Sequence, residues 1–288
     1  MNKRFIKFTK IALLFTLAMS IFAGCANNSG TQSEGSAQEE QKEMTKVVVS
    51  EFRGMNYAAV HIADALGYFE EEGIEVEFAV YGDGPVAFQG MHAGAPGSAP
   101  YSFIWSILEE GGLNPAEDVT FAQMQYGASM AALEQGTIDA SYMDHYNRNK
   151  FSAIGANFLV DGADMETKKR VFGSEKFEGS IITATKKFVD ENPETVQSFI
   201  NGVAKGAKWL TSHSDEEVAE VLMPYHDGST KEDLIERISL IKIAYSPDLK
   251  ISEEGYEAME NFSLKTGVLK NKVGYENIID MRFVEQAQ

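Results

Sequence analysis

The sequence predicts an α/β fold with a mainly parallel sheet, on three observations. Residues Lys46 to Phe78 read as strand, helix, strand. Further short apolar runs alternate with helical stretches as far as Thr185. From Lys186 onward the apolar spacing is helical, which adds a helical C-terminal part.

The opening unit sets the pattern. Val47-Val48-Val49 is too short for a helix and is β-branched, so it reads as a strand. A polar turn runs from Ser50 to Asn56. Ala58, Ala59, Ile62, Ala63, Ala65 and Leu66 then recur at helical spacing up to Gly67. Ile74, Val76 and Phe78 alternate with Glu75 and Glu77, which is strand period. A crossover of this length joins parallel strands in the right-handed sense. Ligands of such sheets sit at the carboxyl ends of the strands, here Glu51 to Tyr57.

Downstream, Gly82 to Pro85 is a turn, Val86 to Met91 a short helix ending at Gly94, and Tyr101 to Glu110 an amphipathic helix. Strands are expected at Val119 to Met124, Ile138 to Met143, Phe151 to Val160 and Glu178 to Thr185, with a helix over Gly127 to Gln135. Helices are expected at Pro193 to Leu210, Asp215 to Leu222, Lys231 to Ala244 and Glu253 to Thr266. The second half follows turn and helix with the strand TIDASYM. The first half has GDGPVAFQGMHAG with no strand after it; Pro96 and Gly97 lead straight into another helix. Either that first helix packs atypically, or a strand with its crossover is absent at this junction.

The first 25 residues read as a leader outside the fold. Lys3, Arg4, Lys7 and Lys10 precede an apolar run, Ile11 to Ala23, too short to span a bilayer comfortably. The ending Ile21-Phe22-Ala23-Gly24-Cys25 resembles a bacterial lipoprotein signal, with Cys25 as the lipidation site; an ordinary signal peptide is the alternative. Cys25 is the sole cysteine, so neither a disulfide framework nor a cysteine metal site is available. Residues 26–45 are polar and small and read as a flexible tether. The net charge of −18 becomes −22 once the four leader cations are removed. A chain this acidic does not bind nucleic acid through its general field.

Several stretches together resemble a known family: NYAAVHIADALGYFEEEGIEVEF, the GDGP turn with AFQGMHAG, PGSAPYSFIWSILEEGGLNPAEDV, EQGTIDA and KKFVDENPETVQSFI. They look like the solute-binding proteins of ABC importers in the nitrate, sulfonate, taurine and thiamine-precursor group. The resemblance implies a two-lobed periplasmic-binding-protein fold of class II type. Lobe 1 would comprise residues 46–94 and 178–288, and lobe 2 residues 95–177. It implies a small-molecule ligand between the lobes, ABC permease and ATPase subunits as partners, and a monomer without cofactor or bound metal. Its location would be extracytoplasmic, lipid-anchored through Cys25 to the outer face of a bacterial cell membrane. Members carry a further strand and more of the first lobe after the helix matching VAFQGMHAG. Here Gly94 runs into Ala95 and Pro96, so the chain reads as a member with a truncated first lobe.

Candidate ligand contacts follow from strand ends and helix N-termini. Arg53, Asn56 and Tyr57 follow the first strand; Arg53 could equally pair with a surface carboxylate. Ser98 and Tyr101 open a helix, where Ser98 is as plausible as a plain N-cap. Gln125 and Tyr126 join a strand to a helix. Asp144, His145 and Tyr146 end the next strand, where the resemblance places ligand contacts. Tyr57 and His61 share a helix face, and His61 reads as a packed histidine. Arg53 with helix N-termini suits nitrate or a sulfonate. The tyrosines with Asp144 and His145 suit a pyrimidine-like ring or another small organic nitrogen compound, which the aromatic and acidic content favours. Among enzymes, a hydrolase finds only Gly127-Ala128-Ser129-Met130-Ala131, which lacks the last glycine of a nucleophile elbow. HExxH and phosphate-loop patterns are absent from the sequence. A shortened member that no longer binds is the remaining alternative.

Overall fold

Two parallel strands and the helix between them form the centre from which the other elements are arranged. In the computed structural model the described residues are 44–51, 54–80, 99–124, 126–143, 147–162, 164–176 and 180–287. All of them lie in one unit, Lys42–Gln288. Strand β1 (Thr45–Glu51) pairs in parallel with β2 (Ile74–Val80), with Val47 opposite Val76 and Val49 opposite Phe78. Between them run a single 3-10 turn at Met55–Tyr57, helix α1 (Ala58–Ala65) and the short α2 (Tyr68–Glu71). Gly67 separates the two helices at φ 74°, a left-handed conformation that glycine takes without steric cost. This is the expected βαβ unit.

The helical elements after β2 are α3 (Ala99–Glu110), α4 (Tyr126–Glu134), α5 (Arg148–Ala153), α6 (Met165–Phe172) and α7 (Lys186–Glu191). Then come α8 (Pro193–Ser212), α9 (Asp215–Leu222), α10 (Lys231–Ala244), α11 (Glu253–Lys265), α12 (Tyr275–Ile278) and α13 (Arg282–Gln286). The bounds of α9 and α10 match those expected. Each opens on a capping box, Ser214 with Glu217 and Thr230 with Asp233, which satisfies otherwise orphaned N–H groups.

The core has two neighbouring parts. Met55, Ala58 and Ile62 pack on Leu210, Val218, Leu222, Leu234 and Ile238, joining α1 to α8, α9 and α10. Ala59, Ala63, Phe69 and Ile74 pack on Val203 and Ala207 of α8. The close approach of α8 to α1 and α2 depends on two glycines. A Cβ on Gly206 would fall on the carbonyl of Ala59, and one on Gly202 on the ring of Phe69. Ala65, expected on the packed face, is exposed instead, while Leu66 beside it packs against the core.

Four expected strands do not form. Val119 to Met124 contributes only an isolated bridge at Met124, and Ile138 to Met143 forms no strand. Phe151 to Ala153 belongs to α5, and 154–160 has no ladder. Of Glu178 to Thr185, residues 180–185 likewise run unpaired. A strand needs a neighbour to take its backbone groups. All four segments border a wide cleft. The described sheet is therefore two-stranded, and the chain is mixed α/β and helix-rich. The junction of Gly94 with Pro96, where a strand is expected to be missing, and Cys25 with the leader lie outside the described residues. Among the described residues no helix is long and apolar enough to cross a membrane.

Candidate ligand-binding cleft

A cleft of about 3470 Å³ opens beside β1, walled by the strand and by the four extended segments. It exceeds the roughly 300–1,000 Å³ of a small-ligand pocket, so a ligand would occupy only part of it. The part at the carboxyl end of β1 carries Glu51, Asn56 and Tyr57.

Alternation along β1 explains what stands there. Val47, Val49 and Glu51 share the face turned toward α1, while Val48 is exposed. The last position of this apolar face is thus a carboxylate, 3% exposed. Its Oε2 lies 2.5 Å from Nε2 of His61, a fully buried side chain on α1. His61 is held by stacking. Tyr225 lies nearly parallel at 4.5 Å between ring centroids and Tyr57 at 6.1 Å, while Phe78 and His226 meet it edge-on. Among the described residues, Nδ1 of His61 has no hydrogen-bond partner.

Tyr57 ends the 3-10 turn just before α1 and is half-buried. Burial, and then the charge of Glu51, raise its pKa, so the phenol stays protonated and can donate. Tyr225 donates to Oδ2 of Asp64 at 2.5 Å, and burial together with this bond drives its pKa well above the usual value.

Of the candidates from the sequence, Asn56 and Tyr57 face this cleft together. Tyr101 lies on α3 with its ring against Phe121 and Trp105, at 4.6 and 5.4 Å, and is not among the residues lining the cleft. Arg53, Ser98, Gln125, Asp144, His145 and Tyr146 lie outside the described residues, and of Tyr126 only the backbone in α4 is described. The sequence reaches Glu51 as the first residue of the strand-end stretch where ligands are expected, and not as a buried side chain. Its parity with Val47 and Val49 is the signal that turns it inward. Among the described residues no group of three or more His, Cys, Asp or Glu side chains could hold a metal ion.

The family described as NMT1/THI5 like matches residues 88–217. The chain is 22% identical to a provisionally named binding protein, YtlA, of Bacillus subtilis (strain 168), across 87% of this chain and 92% of that protein. That alignment runs over 307 positions, more than the 288 residues of this chain, so it contains gaps on this side. A provisionally named aliphatic sulfonates-binding protein of the same organism is 25% identical over 173 residues, 59% of this chain and 48% of that one. Among solved structures, a protein of Bordetella bronchiseptica RB50 superposes with a TM-score of 0.64 at 21% identity, over 85% of this chain and 97% of that one. The ligand-binding component of an ABC-type import system from Staphylococcus aureus, with zinc bound, superposes with a TM-score of 0.61 at 10% identity, over 85% and 99%. The chain therefore shares its fold with both of these proteins over 85% of its length.

Proposed function

We propose that this chain is the substrate-binding lipoprotein of an ABC importer. In this reading Cys25 carries the lipid anchor, residues 26–45 tether the folded part outside the cell membrane, and a monomer presents its ligand to a permease and ATPase. Lobe 1 is formed by 46–94 with 178–288 and lobe 2 by 95–177. The protein is a carrier and not an enzyme. Its ligand is a small organic nitrogen compound, pyrimidine-like in its hydrogen-bonding edges.

The observation that carries the reading is a cleft that runs along a parallel strand and takes in its carboxyl end, in a chain whose residues 88–217 match the NMT1/THI5 like family. Arg53, Asn56, Tyr57, Ser98, Gln125, Tyr126, Asp144, His145 and Tyr146 stay as proposed contacts from the strand-end argument. Tyr101 joins them only if its ring leaves Phe121. A nitrate or sulfonate ligand is the second reading, favoured by the similarity to an aliphatic sulfonates-binding protein. A shortened chain that binds nothing is supported by the gaps in the longer alignment.

The test is thermal unfolding of the chain from Ala26 with nitrate, taurine, alkanesulfonates, pyrimidines and polyamines. A ligand at 100 times its Kd stabilises by about 2.7 kcal/mol, which raises the midpoint by several degrees. A broad transition that no compound moves would sink the carrier reading. For the anchor, a Cys25→Ser chain should leave the membrane fraction, and its retention there would sink the lipoprotein assignment.

A further inference from the structure

We infer that Glu51 sets the specificity of the cleft, selecting ligands that offer N–H donors and rejecting oxyanions. The inference rests on the reading of the chain as a solute carrier and names the group that chooses the solute.

Three observations converge on Glu51. It ends β1 on the buried face, at 3% exposure, yet is among the residues that line the cleft. Its Oε2 lies 2.5 Å from Nε2 of His61, and the rings of Tyr225 and Tyr57 stack with His61 at 4.5 and 6.1 Å between centroids. Among the described residues no lysine or arginine pairs with it. A carboxylate withdrawn from water is stabilised by donors and cations and is costly to bring beside another anion. His61 can supply a donor to one oxygen only, so a ligand amine, amidine or ring amino group at the other would complete the set. Tyr57 adds an aromatic face, and Asn56 adds both a donor and an acceptor. This is the complement of a small nitrogen-bearing ring or amine. A nitrate or sulfonate placed against the Glu51 carboxylate itself would instead meet like charge.

The orienting part belongs to His61. It does not reach the cleft itself, being absent from its lining, and acts by holding the carboxylate in one rotamer. The unpartnered Nδ1 fits this role, since the ring is kept in place by stacking and by the Glu51 contact alone.

The experiment compares the wild-type chain with Glu51→Gln by titration calorimetry, using 4-aminopyrimidine, cytosine and putrescine against nitrate, taurine and methanesulfonate. Wild type should bind at least one of the first three and none of the last three. In Glu51→Gln the affinity for the nitrogen compound should fall about 10- to 150-fold, the range of a lost hydrogen bond to a charged group. Penetration of oxyanions into the variant alone would strengthen the assignment, because a merely structural residue would weaken every ligand equally. Circular dichroism checks that the variant folds; if it does not, the selectivity of the wild type decides. Binding of an oxyanion by the wild type overturns the inference and leaves the carrier reading standing. Wild type binding a nitrogen compound with no loss in a folded Glu51→Gln also overturns it. No binding of any of the six overturns it together with its premise.

Discussion

Gly206 on α8 faces the carbonyl of Ala59 on α1 so closely that a Cβ there would approach the oxygen to less than 3.0 Å, a distance real Cβ atoms do not reach. The obstacle is backbone, with no flexible end to yield. Gly206→Ala should therefore destabilise, by about 1–3 kcal/mol for an overpacked core, although alanine is the better helix former by roughly 1 kcal/mol. A urea midpoint equal to or above wild type would mean that α8 can withdraw from α1 freely.

Tyr225 joins the helical layer to the βαβ unit through two different interactions. Its ring stacks on His61 and its hydroxyl donates to Asp64. Tyr225→Phe keeps the first and deletes the second. The expected loss is about 1 kcal/mol, near the lower end for a bond to a charged acceptor because both groups are only half-buried. For a folded unit of this size that is about 2–4 °C in the thermal midpoint. A loss as large as that of Tyr225→Ala would show that the hydroxyl matters as much as the ring.

The capping box at Ser214 gives a local test. Its Oγ accepts from the backbone N–H of Glu217, while the Glu217 carboxylate accepts from the backbone N–H of Ser214 at 2.9 Å. Ser214→Ala should cost about 1 kcal/mol. Since α9 packs Val218 and Leu222 into the core, the loss should appear in the global transition. Fraying of α9 alone, seen as faster amide exchange without a shift of the midpoint, would contradict this.

What could be read from the sequence divides along the range of the interactions involved. Helices α9 and α10 were legible because Ser214 with Glu217 and Thr230 with Asp233 carry their start signals within four residues. The unit β1-α1-β2 was legible because its pairing closes over fewer than forty residues, with a β-branched run on β1 and apolar alternation on β2. Strands at Val119 to Met124 or Ile138 to Met143 were misread because apolar alternation says that a segment can pair, not that a partner is present. The same limit held at the site. Asn56 and Tyr57 came from a rule about strand ends, but Glu51 needed a decision about which face of β1 is inward, which α1 and α8 make. His61 was placed correctly as a packed residue, but its contact with Glu51, ten residues away, depends on the crossover.

Glu260 offers a pH-dependent prediction away from the cleft. Its Oε1 accepts from the backbone N–H groups of Val273 and Gly274 at 2.6 and 2.9 Å and from the hydroxyl of Tyr256 at 3.2 Å, which ties α11 to the turn before α12. The Gly274 and Val273 bonds hold its pKa below the usual carboxylate value, more than offsetting what burial does in the other direction. A depressed pKa in the folded state means that the carboxylate stabilises the fold above its unfolded value of about 4.3. That stability is lost as the pH falls through the folded value. Glu260→Gln keeps an acceptor and removes the charge. It should lower the urea midpoint at pH 7, and the gap to wild type should close as the pH is taken below about 4. A gap that stays the same at both ends of this range would show that Glu260 acts through packing and not through its charge.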